Sequence, residues 1–186
     1  MSAPLPMFSD DEVGGVRIER HWAMPDANTF QIPPFAALLR RLLDGRKTVV
    51  DPFARTSKWA QWGNDLDPSF GHQFALDSRD FARELAQRGV QADAILFDPP
   101  YSPRQISECY RGVGRDVGME ETQSARLYSE TRDLLTNVAA RGCVALSFGW
   151  NSVGFGKTRG WRMTELHLCC HGGAHNDTIC TVEVYR

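Results

Sequence analysis

The chain has 186 residues, of which 42% are apolar and 24% are charged, and its formal net charge is −2. This composition excludes a disordered chain and predicts one globular domain. The sequence shows neither a run of about 20 apolar residues, as a membrane span needs, nor a basic and apolar leader at its start, so we expect a cytoplasmic protein that does not enter a membrane.

The cysteine count and the near-zero net charge further limit the class of protein and the kind of partner. The cysteine count is odd and includes no CxxC pair, which favours reduced thiols over a disulfide framework. With so little net charge, a nucleic-acid partner would have to be held by a local basic patch, because affinity for phosphate comes from clustered Lys and Arg.

The first half of the chain alternates between short apolar runs and amphipathic segments. A polar, proline-containing arm is expected at 1–21, followed by one domain at 22–186. Leucines at helical spacing predict a helix at 34–44, and the run KTVVDPF at 47–53 predicts a buried strand. A second strand is expected at 72–78, and a helix from Ser78, as its N-cap, to a stop at Gly89.

The second half continues the alternation. The apolar run that begins at Ala92 predicts a strand, 122–141 a helix that Gly142 stops, and 143–150 another strand. Two β-rich runs around a Gly-Gly and Asn-Asp turn at the end of the chain predict an antiparallel hairpin. The fold class is therefore α/β: a mostly parallel sheet with helices on both faces and a C-terminal antiparallel hairpin.

The carboxyl ends of the predicted strands carry acidic and aromatic residues. In open α/β sheets the ligand lies outside those ends. We expect the following residues to share one edge: Asp51, Asp65 or Asp67, Asp77, Asp98 and Trp150.

The tetrapeptide Asp98-Pro99-Pro100-Tyr101 carries the most specific chemistry. Its two prolines fix the backbone and remove two N–H donors, so the Asp98 carboxylate and the Pro99 carbonyl can both accept hydrogen bonds from one amino group. Tyr101 offers a flat face on which an extruded base can stack. The alternative is a rigid turn with a surface tyrosine.

The tetrapeptide resembles the motif of class I S-adenosylmethionine-dependent amino methyltransferases, most closely the DNA adenine-N6 branch. The resemblance covers about 22–186 and implies a Rossmann-like methyltransferase domain. It also implies that Asp98 and the Pro99 carbonyl hold the target N6 amine of adenine while Tyr101 stacks on the base. Small enzymes of this appearance resemble those of bacteriophages and prophages and lack a separate recognition domain.

The same resemblance implies a site for the cofactor S-adenosylmethionine. Asp51-Pro52-Phe53 is similar to the start of the family's D-P-F-x-G-x-G motif, although both glycines are missing here. The segment at 28–34 is similar to the family's segment before the first strand, which closes over the methionine end of the cofactor. This resemblance implies that Thr29 and Phe30 contact the cofactor. Acidic residues after the next two strands imply contacts with the ribose and the adenine of the cofactor: Asp65 or Asp67 for the ribose, and Asp77 with Ser78 for the adenine.

Two stretches that mix cationic and aromatic residues are candidates for binding DNA, with RNA as the alternative. We interpret 102–121 and 151–162 as loops that follow strand ends. The residues assigned to this role are Arg104, Tyr110, Arg111, Arg115, Trp150, Lys157 and Arg159. The alternative is that these are solvated loops whose arginines only keep the protein in solution.

Histidines and cysteines cluster near the C-terminus, but we expect no metal site there. Adjacent Cys169 and Cys170 point to opposite faces of a strand, and no second pair stands at zinc-finger spacing. His175 is expected to shape the hairpin turn.

Three functions remain open: a DNA adenine-N6 methyltransferase with a short or relaxed target sequence, a ribosomal-RNA guanine-N2 methyltransferase, and a catalytically silent fold that binds nucleic acid or a partner. For the first, sequence selection would come from the chain's own loops, from a second protomer or from a specificity partner.

Overall fold

The computed structural model of the protein describes residues 12–115, 124–173 and 175–186. The strands are β1 (Glu12–Val13), β2 (Val16–Trp22), β3 (Val49–Asp51), β4 (Trp62–Gly63), β5 (Ala92–Phe97), β6 (Ala139–Gly149), β7 (Trp161–Cys170) and β8 (Thr178–Tyr185). The helices are α1 (Pro33–Leu43), α2 (Ser78–Gln87), α3 (Pro103–Gly112) and α4 (Ser124–Thr136). Among the described residues, no helix is both long and apolar enough to span a membrane.

The strands form one mixed sheet in the order β1-β2-β7-β8-β6-β5-β3-β4. The pairs β3–β4, β3–β5 and β5–β6 are parallel, whereas β8 runs antiparallel to both β6 and β7. The predicted fold class, a mostly parallel α/β sheet with a C-terminal antiparallel hairpin, is confirmed.

Two hydrophobic clusters, one on each face, hold the helices against this sheet. Successive side chains of a strand point to opposite faces. On β5, Phe97 therefore lies in one cluster with Leu85 of α2, while Leu96 lies in the other with Phe35 of α1, and all four side chains are fully buried. Strand β5, which lies between β6 and β3, thus has its C-terminal end between two packed layers.

Several element boundaries differ from the sequence-based predictions. Helix α4 ends at Thr136 and β6 begins at Ala139, so Gly142 does not stop the helix. Gly142 lies within β6 instead, with a φ of +82°, at an irregularity in the pairing of β6 with β5. The segment 72–78 is not a strand, since Phe74 makes only a single isolated bridge, with Asn64.

The start of α2 and the segment after β5 also differ. The N-cap of α2 is Asp77 and not Ser78, since the Asp77 carboxylate accepts a hydrogen bond from the Arg79 N–H at 2.9 Å. The expected loop after Tyr101 is helix α3 as far as Gly112, because Ser102 and Gln105 form a capping box at its start. Residues 116–121 of that expected loop lie outside the described residues.

The N-terminal arm contributes to the sheet. From Val16 to Trp22 it forms β2, which pairs in parallel with β7 over six register positions. The sequence did not predict this strand, because its alternation of charged and apolar residues is that of a half-exposed edge strand and its partner is distant in the chain. Residues 1–11 of the arm lie outside the described residues.

One buried amide connects the ends of the short strands. The Asn64 side chain donates to the carbonyls of Pro52 and Leu76 and accepts from the Leu76 N–H, each at 3.0 Å. Its main chain bonds Asp51 and Ala54 at 2.9 and 2.8 Å. Because Asn64 is fully buried, no solvent could replace these bonds.

We therefore predict that Asn64→Ala lowers the free energy of unfolding by at least about 1–3 kcal/mol, because it leaves buried backbone groups of Pro52 and Leu76 unpaired. Urea denaturation measures the change. The exposed Asn137→Ala is the control and should stay within about 0.5 kcal/mol of the wild type. Equal stabilities of the two variants would contradict this role.

Candidate active site

A cleft of about 650 Å³ opens at the carboxyl ends of β3, β4 and β5. Since these strands are parallel, the segments that follow them meet at one edge of the sheet. The predicted residues that line the cleft are Thr29, Pro52, Phe53, Asp65, Asp67, Asp77, Ser78, Asp98, Pro99, Pro100 and Tyr101.

The Asp98 carboxylate is engaged by its own tetrapeptide. The Tyr101 hydroxyl donates a hydrogen bond to Asp98, and the Thr29 hydroxyl lies 3.4 Å from the Tyr101 hydroxyl. Burial raises the pKa of Asp98 above its usual range, opposed by the hydrogen bond from Tyr101. Burial also raises the pKa of Tyr101 well above its usual value, so the phenol remains a donor.

Aromatic and amide contacts fix the rest of the tetrapeptide. The Tyr101 ring lies 5.6 Å from the half-exposed Trp150 ring, centroid to centroid. The Tyr128 hydroxyl donates to the Pro100 carbonyl at 2.7 Å, and the Gln105 side chain accepts from the Tyr101 N–H at 2.8 Å. The sequence did not point to Tyr128 or Gln105, although the Ser102/Gln105 spacing is a capping-box signal.

Asp65 also lines the cleft and organises the loop after β3, which lacks glycine. Its carboxylate accepts from the N–H groups of Arg55 at 3.0 Å and Asp67 at 2.9 Å, and burial raises its pKa above its usual range. Asp67 itself accepts from the Ser69 N–H at 2.8 Å and serves as a local cap. Both carboxylates therefore line the cleft and already accept backbone hydrogen bonds, and the choice between Asp65 and Asp67 as the ribose contact stays a prediction.

Asp77 forms a third acidic position in the cleft. Burial raises its pKa, but hydrogen bonds from Arg79 and Tyr110 outweigh this and bring the pKa below its usual range. Tyr110, which we expected to contact nucleic acid, therefore lies in the cleft with its hydroxyl on Asp77. The neighbouring Ser78 hydroxyl is 3.0 Å from that of Thr131 on α4.

Two predicted cofactor contacts face the core instead. Asp51 is fully buried beneath the cleft, where one carboxylate oxygen accepts from the Phe53 N–H at 3.0 Å. Burial raises the pKa of Asp51 well above its usual range. Phe30 is buried, and its ring packs on Phe148 at a centroid distance of 5.2 Å. These side chains support the cleft from below.

The predicted nucleic-acid residues separate into exposed and structural groups. Arg111, Arg115 and Lys157 are exposed, while the exposed Arg104 pairs with Glu108 at 2.8 Å.

Arg159 has a structural position. It pairs with Asp133 at 2.5 Å and donates to the Phe155 carbonyl at 2.8 Å. Its side chain is only 19% exposed, so it ties the β6–β7 connection to α4.

The β6–β7 connection is anchored by a buried carboxylate. The buried Glu183 carboxylate accepts from the N–H groups of Phe155 at 2.5 Å and Gly156 at 3.0 Å. A Cβ on Gly154 would lie only 2.2 Å from this carboxylate, which explains the glycine there. The aromatic Phe155 and Trp161 of this stretch are buried and unavailable for stacking on bases.

Comparisons with known proteins show which solved structures share the fold of this chain. No protein-family model and no curated protein sequence matches the chain. Among solved structures, TrmN from Thermus thermophilus is 18% identical with a TM-score of 0.55, covering 83% of this chain and 49% of its own. A putative SAM-dependent methyltransferase from Streptococcus mutans is 16% identical with a TM-score of 0.52, covering 80% and 48%.

The N-methyltransferase NodS from Bradyrhizobium japonicum WM9 is 13% identical with a TM-score of 0.53, covering 87% of this chain and 99% of its own. The chain has a methyltransferase fold. It spans about half the length of TrmN and of the Streptococcus mutans protein. At these identities the likeness concerns the arrangement of the sheet and helices, and the chemistry has to be argued from the cleft.

The raised pKa of Asp98 leads to a prediction on stability. Because the folded state binds this proton more tightly than the unfolded state, ionisation of Asp98 costs stability as the pH rises from the unfolded pKa through the raised one. We expect Asp98→Asn to be more stable than the wild type at pH 7, and its advantage to shrink on acidification. Urea denaturation over a pH series measures this, with Asp80→Asn, an exposed carboxylate on α2, as the control. An advantage that does not vary with pH would contradict it.

Proposed function

We propose that the protein transfers a methyl group from S-adenosylmethionine to the exocyclic N6 amine of adenine in DNA. The observation that carries the proposal is the position of Asp98-Pro99-Pro100-Tyr101, which follows β5 in a methyltransferase fold and lines the cleft. The tetrapeptide offers two acceptors to an amine and an aromatic face to a base, a combination that a rigid turn alone does not require.

The charge of the cleft supports the proposed cofactor. Six carboxyl side chains and one guanidinium line it: Asp26, Asp65, Asp67, Asp77, Asp98, Glu108 and Arg55. When bound, S-adenosylmethionine supplies a methyl group activated by a sulfonium, and it carries a second cation in its ammonium group. An acidic cleft favours such a ligand, and a volume of about 650 Å³ lies within the range of small-molecule sites.

The residues at the edges of the cleft suit the remaining parts of that cofactor. Asp65 presents a carboxylate that can accept from ribose hydroxyls, and Asp77 one that can accept from the adenine amino group. Arg55, which also lines the cleft, is a candidate partner for the carboxylate of the methionine portion.

Asp98 would bind the target amine after the Tyr101 hydroxyl gives up its hydrogen bond to the Asp98 carboxylate. The adenine amine is a poor nucleophile because its lone pair is delocalised into the ring. Two hydrogen bonds, to Asp98 and the Pro99 carbonyl, draw the nitrogen towards tetrahedral geometry, and the carboxylate stabilises the positive charge that develops on it. Asp98 can accept the proton once the nitrogen has become acidic.

Tyr101 and Trp150 would hold the base outside its helix. Their rings already lie 5.6 Å apart, centroid to centroid, with Tyr101 in the lining of the cleft and Trp150 44% exposed beside it. Base stacking on such side chains is worth about 1–3 kcal/mol per base. The phosphates would run outside the acidic cleft, towards the exposed Arg111, Arg115 and Lys157.

Nucleoside mass spectrometry tests the reaction class. DNA and RNA are incubated separately with the protein and isotopically labelled cofactor. Labelled N6-methyladenine from DNA supports the proposal. Labelled N2-methylguanine from RNA would support the ribosomal-RNA alternative, and absence of label together with absence of cofactor binding would support a silent fold.

Asp98→Ala should abolish methyl transfer while leaving cofactor affinity nearly unchanged, because Asp98 would face the amine and not the sulfonium. Calorimetric titration and a labelled-methyl assay on the same preparation measure the two properties. Asp80→Ala removes an exposed carboxylate and should retain turnover. Unchanged turnover in Asp98→Ala would remove Asp98 from the site.

For the ribose, Asp65→Ala should weaken cofactor binding by about 1–3 kcal/mol, the typical loss for a charge-assisted hydrogen bond. Asp67→Ala should have a smaller effect, since Asp67 is the less buried of the two carboxylates and water competes more strongly for its hydrogen bonds. Calorimetry gives both affinities, and thermal unfolding without cofactor checks that each variant folds. The opposite ranking would reassign the contact to Asp67.

Target selection should be weak for the protein alone. Each bidentate base contact discriminates by about 1–3 kcal/mol and needs a rigid support, whereas the exposed cations named above suit phosphate. We expect a target of about one to three informative bases, with unpaired DNA preferred because base extrusion costs less there. Sequencing of methylated sites on a treated plasmid tests this, and a strict motif of five or more base pairs would refute it.

A further inference from the structure

Outside the cleft, three potential ligand atoms converge at the edge of the sheet. They are Glu19 Oε2 and His21 Nε2 on β2 and His167 Nδ1 on β7. The two nitrogens lie 3.1 Å apart, and the Glu19 oxygen is 3.3 Å from His21 and 3.5 Å from His167. The cluster joins two strands whose histidines are 146 positions apart in the chain.

These separations are those of a metal coordination sphere. Ligand bonds of 2.0–2.1 Å in tetrahedral geometry place neighbouring ligand atoms about 3.3 Å apart. The two imidazole planes differ by only 9°, so one ion could lie near both planes. As placed, the nitrogens face each other at hydrogen-bond distance, and one of them holds a proton that an incoming cation would displace to solvent.

Neighbouring side chains orient His167, the more buried of the two histidines in the cluster. Glu165 Oε2 lies 2.9 Å from His167 Nε2, and Arg41 of α1 holds the same carboxylate through two hydrogen bonds, at 3.1 and 2.5 Å. A proton on Nε2 directed at Glu165 leaves Nδ1 unprotonated towards the cluster. A metal-binding histidine typically has such a carboxylate on its other nitrogen.

Access to the cluster is one-sided. The side chain of His167 is 3% exposed, whereas those of Glu19 and His21 are each 26% exposed. An ion could therefore enter from solvent past Glu19 and His21, and the remaining coordination position would face water.

We propose that Glu19, His21 and His167 bind one divalent transition-metal ion, with Zn²⁺ as the reference ligand and water in the open position. Two imidazoles and one carboxylate form a donor set that suits this class of ion. The bound ion would reinforce the existing pairing of β2 with β7 at this edge of the sheet. The site is independent of the proposed methyl transfer.

Metal titration of the full chain, after removal of metal with a chelator, tests the site. Zn²⁺ calorimetry should show one ion per chain, and Co²⁺ should give the intense visible bands of four-coordinate cobalt. Zn²⁺ should also raise the midpoint of thermal unfolding. His21→Ala and Glu19→Gln should each weaken binding at least tenfold, whereas His175→Ala, at an exposed histidine outside the cluster, should not.

Glu165→Gln tests the positioning residue, since it preserves shape and removes the charge that orients His167. We expect binding to weaken about 10–100-fold. Thermal unfolding without metal establishes that each variant folds. The proposal fails if the wild type binds neither ion, or if folded His21→Ala and Glu19→Gln bind with wild-type affinity, which would assign the ion to other side chains such as the thiols.

Discussion

The cleft exists because the ends of very short parallel strands are held together by one buried amide. Strands β3 and β4 contain only three and two residues, so their ladder supplies few backbone hydrogen bonds. Asn64 makes up for this, since its side chain and main chain together reach the segments after β3 and before α2. Polar groups buried at this edge would otherwise lack partners, and each would cost free energy. The positions of Asp65 and Asp77 follow from this connection.

Two acidic groups of the cleft, Asp98 and Asp77, accept hydrogen bonds from tyrosines that lie next to or within a single helix. Tyr101 directly precedes the capping box of α3 and bonds Asp98, while Tyr110 lies in its last turn and bonds Asp77. A ligand that donates hydrogen bonds to these carboxylates would exchange one donor for another. It would not have to desolvate a free charge, so the cost of entry is reduced. Both exchanges involve residues attached to α3, which links the predicted base site to the predicted cofactor site.

The sequence was sufficient for the fold class and for most of the residues that line the cleft, but not for Asp51, which is buried, nor for local details. Hydrophobic runs that end in Asp-Pro identified β3 and β5, because a buried parallel strand needs a continuous apolar run. Strand β2 could not be identified, since its sequence pattern is that of an exposed edge and its pairing with β7 is distant in the chain. Helix α3 was predictable from its capping box, whereas the bonds of Tyr110 to Asp77 and of Arg159 to Asp133 depend on tertiary packing that no local pattern encodes.

Arg55 shows how the loop after β3 keeps its shape without the glycines of the related motif. Its φ of +45° is the left-handed conformation that glycine adopts freely and that costs other residues about 1–2 kcal/mol. Three hydrogen bonds offset this cost: the Arg55 N–H donates to Asp65 at 3.0 Å, its carbonyl lies 2.5 Å from His72 Nε2, and its guanidinium donates to the Ala27 carbonyl at 2.7 Å. The last bond crosses to the segment before α1, which a glycine could not reach. The substitution therefore retains the backbone turn and adds a cation that ties the two walls of an otherwise acidic cleft.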